Sequence, residues 1–152
     1  MALTSQTVVD IVAQTQTITF YESSSQVDKI TYSNNQITFQ NIAHYVLNKS
    51  DYQLWFQYFF SFYNLLPINF PNIIFKGKWP LCKFDITESN PGVKRIIYTQ
   101  TSNGVDVLVI NYNTNNSTAS FTARAAPVTI SMQEFFTTTN MLTQYTNQVT
   151  QN

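Results

Sequence analysis

Histidine and cysteine each occur once, at His44 and Cys82. Any nucleophilic chemistry would have to be assembled from these two and the chain's carboxylates. A thiolate nucleophile needs a neighbouring base to activate it, and nothing flanking either residue marks such a pair. A packed cysteine and a structural histidine are the plainer reading. A Ser-His-acid arrangement would also have to recruit His44, and no G-x-S-x-G elbow is present. Structural zinc sites draw on several Cys and His ligands, more than this chain offers. Calcium loops need clustered acids, and Asp85 with Glu88 is sparse. As an acid/base pair these two compete with a simpler identity as exposed residues at the end of a strand. Three glycines do not make a phosphate-cradling loop. The residue types therefore point to no catalytic residue, no metal site and no cofactor, and the chain reads as a non-enzyme.

Two stretches have the chemistry of contact surfaces. "FKGKWPLCKF", residues 75–84, sets Lys76, Lys78 and Lys83 around Trp79. With Lys94 and Arg95 it could meet phosphate or a partner's carboxylate. Single-strand binders combine cations with stacking aromatics in this way. Five cations in a chain of zero net charge fall short of a basic track, so no strong nucleic-acid signal results. Lysines guarding a strand edge against unwanted pairing explain them as well. The second stretch is "SDYQLWFQYFFSFYNLLP", residues 50–67, with eight of the chain's 23 aromatics between Tyr52 and Tyr63. It is either the lid of a β core or a subunit interface, where aromatics are enriched. The candidate interface residues are Trp55, Phe56, Phe59, Trp79, Lys76, Lys78, Lys94 and Arg95. A membrane-surface role is disfavoured because the polar face lacks Lys and Arg.

The elements that must position these residues are mostly strands. From Thr15 the pattern has period two, with Ile18 and Phe20 set against Thr17, Thr19 and Tyr21. The phrase Ile-Thr-aromatic recurs at 18–20, 30–32 and 37–39, too unevenly for a solenoid repeat. Asn34-Asn35 between two such runs predicts a two-residue hairpin, because asparagine tolerates positive φ. A short helix is expected over Ile42–Leu47, capped by Asn41. The aromatic helix follows, with Ser50 and Gln53 at capping-box spacing and Pro67 at its end. Its stripe is Trp55, Phe59, Phe62 and Leu66, with Phe56, Phe60 and Tyr63 beside it. Further strands are expected at Asn72–Lys76, Leu81–Thr87, Lys94–Thr101, Val105–Tyr112, Thr118–Ala125 and Val128–Ile130. Asn90-Pro91-Gly92, Asn103-Gly104 and residues 113–117 supply the turns. A capping box at Ser131–Glu134 opens a final helix with Phe135, Leu142, Tyr145 and Val149 on one side. Residues 1–14, with Val8, Val9, Ile11 and Val12, fit a helix, a strand or an extended N-terminal arm. Residues 146–152 are expected to fray.

The fold expected is mainly β, an antiparallel sandwich or jelly-roll-like fold, with a central aromatic helix and a C-terminal helix. An α+β sheet covered on one face is the alternative. At 152 residues the chain reads as a single domain, 1–152.

Composition carries the functional expectation. Charged residues make up 11% of the chain, against about 25% in ordinary globular proteins. Thr, Asn, Gln and Ser total 61 of 152 residues, so the polar surface is built from hydroxyls and amides. Zero net charge gives no steering field and favours association. Eight acidic residues leave few carboxylates to protonate, which suggests tolerance of changing pH and salt. No run reaches the roughly 18 apolar residues of a membrane span, and the first residues lack the pattern of a secretory signal. The sequons at Asn48, Asn115 and Asn116 arise readily in an Asn-rich chain. This composition is similar to that of virion proteins from viruses of acidic hot-spring archaea, rich in Thr, Asn, Gln and Tyr, a resemblance that covers no motif. The expectation is a structural protein, a viral capsid or virion component made in the host cytoplasm that assembles with itself or other virion subunits. A small virus-encoded or extracellular module that binds a host protein is the alternative.

Overall fold

The computed structural model describes residues 2–75, 81–89, 92–100, 104–123 and 126–150, with backbone alone for 81–89, 92–95 and 98–100. Within them two five-stranded antiparallel sheets and two helices surround one hydrophobic cluster. The first sheet is a meander of β1 (Leu3–Asp10), β2 (Thr15–Glu22), β3 (Ser25–Ser33) and β4 (Gln36–Asn41), completed beside β4 by β10 (Val128–Ser131). The second has the order β5-β9-β8-β7-β6, formed by β5 (Tyr45–Asn48), β6 (Leu81–Ser89), β7 (Gly92–Gln100), β8 (Asp106–Asn113) and β9 (Thr118–Phe121). Helix α1 (Lys49–Asn69) joins β5 to β6, and α2 (Met132–Thr150) follows β10. The fold is thus the mainly β, sandwich-like one with two added helices. Neighbouring strands mostly follow one another in the chain, so the route is by meanders and not by Greek keys.

The repeated phrase explains the first sheet. Ile18 lies opposite Ile30, and Ile30 opposite Phe39. Ile18, Phe20, Ile30, Tyr32, Ile37 and Phe39 are all buried. On the other face Thr17, Thr31, Thr38 and Thr129 form a row across four strands. Their hydroxyls meet at 3.4 Å (Thr17–Thr31) and 2.9 Å (Thr38–Thr129). Asn34 and Asn35 take φ of 51° and 58°, as a type I′ hairpin requires. A bulge between Phe20 and Tyr21 leaves Val27 without a cross-strand partner in β2.

The crossing between the sheets corrects one expectation. Residues 42–47 are not helical; Tyr45–Asn48 is a strand. The Val27 carbonyl accepts from both Ile42 N (3.0 Å) and Ala43 N (3.2 Å). These bonds hold the chain extended, and Tyr45 and Leu47 then alternate inward against exposed Val46. The expected strand at 72–76 is absent over its described part, 72–75. There the Ile74 N–H is held by Asn35 Oδ1 at 3.1 Å. The strand from Thr118 ends at Phe121.

Helix α1 is capped by Asn48, whose Oδ1 accepts from Asp51 N at 2.8 Å, and not by Ser50. Pro67 lies inside the helix, on an exposed position. It removes one N–H, and the helix runs on to Asn69 before Phe70 N closes on Leu66 O at 2.8 Å. The capping box of α2 forms in both directions: Glu134 N donates to Ser131 Oγ and Ser131 N to Glu134 Oε1, each at 3.1 Å. The hydroxyls of Thr137, Thr139, Thr143 and Thr150 in α2 donate to carbonyls four residues back, as in Thr139 to Phe135 O at 2.9 Å. The helix continues to Thr150 with Val149 buried, where fraying from Thr146 was expected.

Trp55 sits at the centre of the core. Its ring lies 5.4 Å from Phe20 of the first sheet, 4.8 Å from Phe121 of the second and 5.4 Å from Phe59. Phe135 of α2 meets Phe39, Phe59 and Tyr63. Polar side chains fasten the layers. Gln16, fully buried, donates to Phe62 O at 3.0 Å and accepts from Asn69 Nδ2 at 2.8 Å. Tyr52 and Thr146 tie the two helices at 2.7 Å.

Candidate functional site: an open strand edge

The residues whose chemistry was considered first do not converge. His44 lies exposed in the crossing that leads into β5, at one edge of the second sheet. Cys82, Asp85 and Glu88 lie on β6, at the opposite edge. Four inter-strand spacings separate the edges, on the order of 19 Å, so His44 cannot act as the base of Cys82. Trp79, Lys76 and Lys78 lie outside the described residues. Lys94 and Arg95 belong to β7, between β6 and β8, and so do not guard an edge. Trp55 and Phe59 are part of the protein's own core and cannot be offered to a partner without unfolding it. Phe56 is half-buried against that core and packs on Phe60.

One buried polar pair joins the two sheets. The Tyr45 hydroxyl of β5 donates a short hydrogen bond to Asp28 Oδ2 of β3. Asp28 is 3% exposed. Burial pushes its carboxyl up to about 7, opposed in part by the Tyr45 hydrogen bond. The Tyr45 hydroxyl is itself pushed well above its ordinary value, first by burial and then by the Asp28 charge. At the same end, Asn41 Nδ2 donates to Val107 O across the sheets at 3.3 Å. Sequence reasoning missed Asp28. The signal was its period: it lies two and four residues before Ile30 and Tyr32, on their apolar face.

The surface feature with the clearest consequence is β1. It pairs on one side with β2 in unbroken register over eight residues and, among the described residues, has no strand on the other. Most of its side chains are exposed. Natural edges are blunted by shortness, lysines, prolines or bulges. Strand β1, "LTSQTVVD", has none of these and its single charge is at the end; Leu3 is buried and α1 packs against the strand, while Gln6–Asp10 are exposed. Of the other edges, β5 and β10 are short, with four residues each. At the end of β1 and in the turn that follows, Val8 (57%), Ile11 (59%) and Val12 (97%) are exposed apolar residues. Residues 3–10 thus form a strand where the sequence alone left arm, helix and strand open.

Beside that turn lies a cleft of about 200 Å³, lined among others by Gln14, Tyr32, Asn35, Asn69, Phe70 and Asn72. No charged side chain lines it, so its chemistry suits a small neutral ligand with hydroxyl or amide groups. No described helix is long and apolar enough to cross a membrane. No family model, curated protein or solved structure matches the chain.

Proposed function

We propose that this chain is a non-enzymatic structural protein that assembles with copies of itself through its β-rich body, as a capsid or other virion component. The observation that carries the reading is the edge strand β1, exposed over Gln6–Asp10, nearly uncharged and continued by exposed Ile11 and Val12. Such an edge is a template for another strand. A surface of hydroxyls and amides with zero net charge offers little electrostatic resistance to close approach. Light scattering on the purified protein across concentration, pH and salt tests it, with oligomers expected. A strictly monomeric protein at high concentration under all of these conditions overturns the reading. Detection of the chain in purified particles would carry it from self-association to the virion.

The cleft beside Tyr32 and Asn35 favours a second reading, a small virus-encoded or extracellular binding module. In that case the protein stays monomeric, and the variant Asn35→Ala releases whatever partner the wild type retains.

A further inference from the structure

The lining of the cleft beside the β1–β2 turn specifies a class of ligand, and this step rests on the binding-module reading above. Three segments meet there: the β1–β2 turn with Gln14, the β3–β4 turn with Asn34 and Asn35, and the end of α1 with Asn69, followed by Asn72. Five amide side chains thus line a space of about 200 Å³, and none of its described lining residues carries a charge. An ionic ligand would lose its water there without gaining a counter-charge. An amide offers both an acceptor and donors, which suits a ligand whose groups also do both, as hydroxyls do. The space is smaller than the roughly 300–1,000 Å³ of pockets for drug-sized ligands, so it has room for a single small ring.

Two of the amides are held in one orientation by the protein. Asn35 Oδ1 accepts from Ile74 N at 3.1 Å and from the Tyr32 hydroxyl at 3.4 Å. A backbone N–H can only donate, so this bond settles which end of the Asn35 amide is oxygen and leaves its Nδ2 free to donate. Asn69 Nδ2 donates to Gln16 Oε1 at 2.8 Å, and Gln16 Nε2 in turn donates to Phe62 O at 3.0 Å. A carbonyl can only accept, so the order of donors and acceptors along this chain is fixed as well. Asn69 Oδ1 is left as an acceptor without a partner among the described residues. The buried rings of Tyr32 and Phe70, 4.8 Å apart, close the bottom of the cleft with apolar surface. Its rim is set by the backbone: Gln14, Asn34 and Asn35 take φ of 55°, 51° and 58°, and Asp10 Oδ1 holds Ala13 N at 3.0 Å. Glycine would adopt the conformation of Gln14 more easily, so what glutamine adds at this position is its amide.

We propose that this cleft binds one neutral pyranose ring, as a free monosaccharide or as the terminal unit of a glycan. Its hydroxyls exchange hydrogen bonds with Asn35 Nδ2, Asn69 Oδ1 and the exposed amides of Gln14 and Asn72, and its C–H groups rest against Ile11 and the apolar floor. A pyranose carries hydroxyls and C–H groups on one rigid frame, which matches a lining of amides over apolar surface. Its rigidity also spares the ordering cost that a flexible polyol would meet. A planar base fits less well, because it needs an open aromatic face to stack on, and Tyr32 and Phe70 are both buried.

The test is two-dimensional amide NMR of the full chain, titrated with glucose, mannose, galactose and N-acetylglucosamine. At least one of these sugars should move the side-chain amide signals of Asn35 and Asn69 and the backbone signals of Gln14 and Asn72, saturating in the millimolar range. The corresponding uronate should bind about tenfold more weakly or worse, because its carboxylate finds no counter-charge. Asn35→Asp keeps the oxygen that holds Ile74 N but removes the donor and adds a charge, so it should lose about tenfold or more in affinity with Tm retained. Gln14→Gly relaxes the left-handed backbone and should raise Tm while weakening the sugar. A methyl glycoside that binds as well as the free sugar marks the ring as a glycan's terminal unit, and one that does not bind marks the free monosaccharide. No shift at the cleft with any of these sugars, equal binding of the uronate, or unchanged affinity in both variants overturns the proposal. If it is overturned while Asn35→Ala still releases a partner that the wild type retains, the binding-module reading stands. If the wild type retains no partner either, both fall.

Discussion

Asp28 makes the folded protein sensitive to pH near neutrality. Its carboxyl keeps a proton up to about pH 7 when folded but releases it near 3.8 when unfolded. Between those values the folded state binds more protons, so stability falls as pH rises. The contribution is complete only below about pH 3.8 and is lost progressively as pH rises to about 7. At about 1.4 kcal/mol per pH unit the loss approaches about 4 kcal/mol. The groups facing Asp28 do not offset it: Tyr45 stays neutral throughout this range, and Glu22 acts on Tyr45. Urea unfolding midpoints measured from pH 4 to pH 8 should decline with pH, and Asp28→Asn should flatten that decline. An unchanged slope in the variant would remove Asp28 as its source. Counting carboxylates in the sequence suggested indifference to pH. That reasoning treats every acid as exposed, and Asp28 is buried.

Helix α1 is a core element on one face and a half-buried surface on the other. Trp55→Ala should cost about 3–5 kcal/mol, the usual penalty for emptying a large aromatic site. Phe56→Ala, on the half-buried stripe, should cost distinctly less. Chemical denaturation measures both, and equal penalties would contradict the packing of Trp55 against both sheets. Much at this scale was legible in the sequence. The period-two runs of β2, β3, β4 and β8, the Asn34-Asn35 turn, the aromatic stripe and the Ser131–Glu134 cap all depend on neighbours within a few residues. The failures have a common cause. Val46 and Leu47 could continue a helix or begin a strand, and the decision rests with the Val27 carbonyl, which holds Ile42 and Ala43 from another strand. Asn48 and Ser50 can each cap a helix, and no local spacing chooses between them. The openness of β1 is a fact about which strands are not beside it, and only the full pairing order reveals that. The placement of Asp28 was legible in principle, since it shares the period of Ile30 and Tyr32.

At the scale of the whole molecule, zero net charge and a nearly uncharged edge would make the proposed association a matter of backbone bonds and apolar contact. The oligomer should therefore respond weakly to salt. Light scattering at about 0.05 M and about 0.5 M salt, where screening differs severalfold, should give the same mass at equal protein concentration. A collapse of the assembly at the higher salt would show that ion pairs hold it. The sheet order also has a consequence in time. Strand β4 is flanked by β3 at once, but its other neighbour is β10, and the bond between Thr38 and Thr129 spans 91 positions. A ribosome adding about 5–20 residues per second takes roughly 5–20 s to supply that strand. Strand β5 waits in the same way for β9. During that interval the nascent first sheet is bare along both β1 and β4, and one of the two edges is covered only near the end of synthesis. Under the proposed self-assembly, chains emerging side by side on one message would meet each other's bare strands before either was finished, so dilute expression should favour correct folding over misassembly.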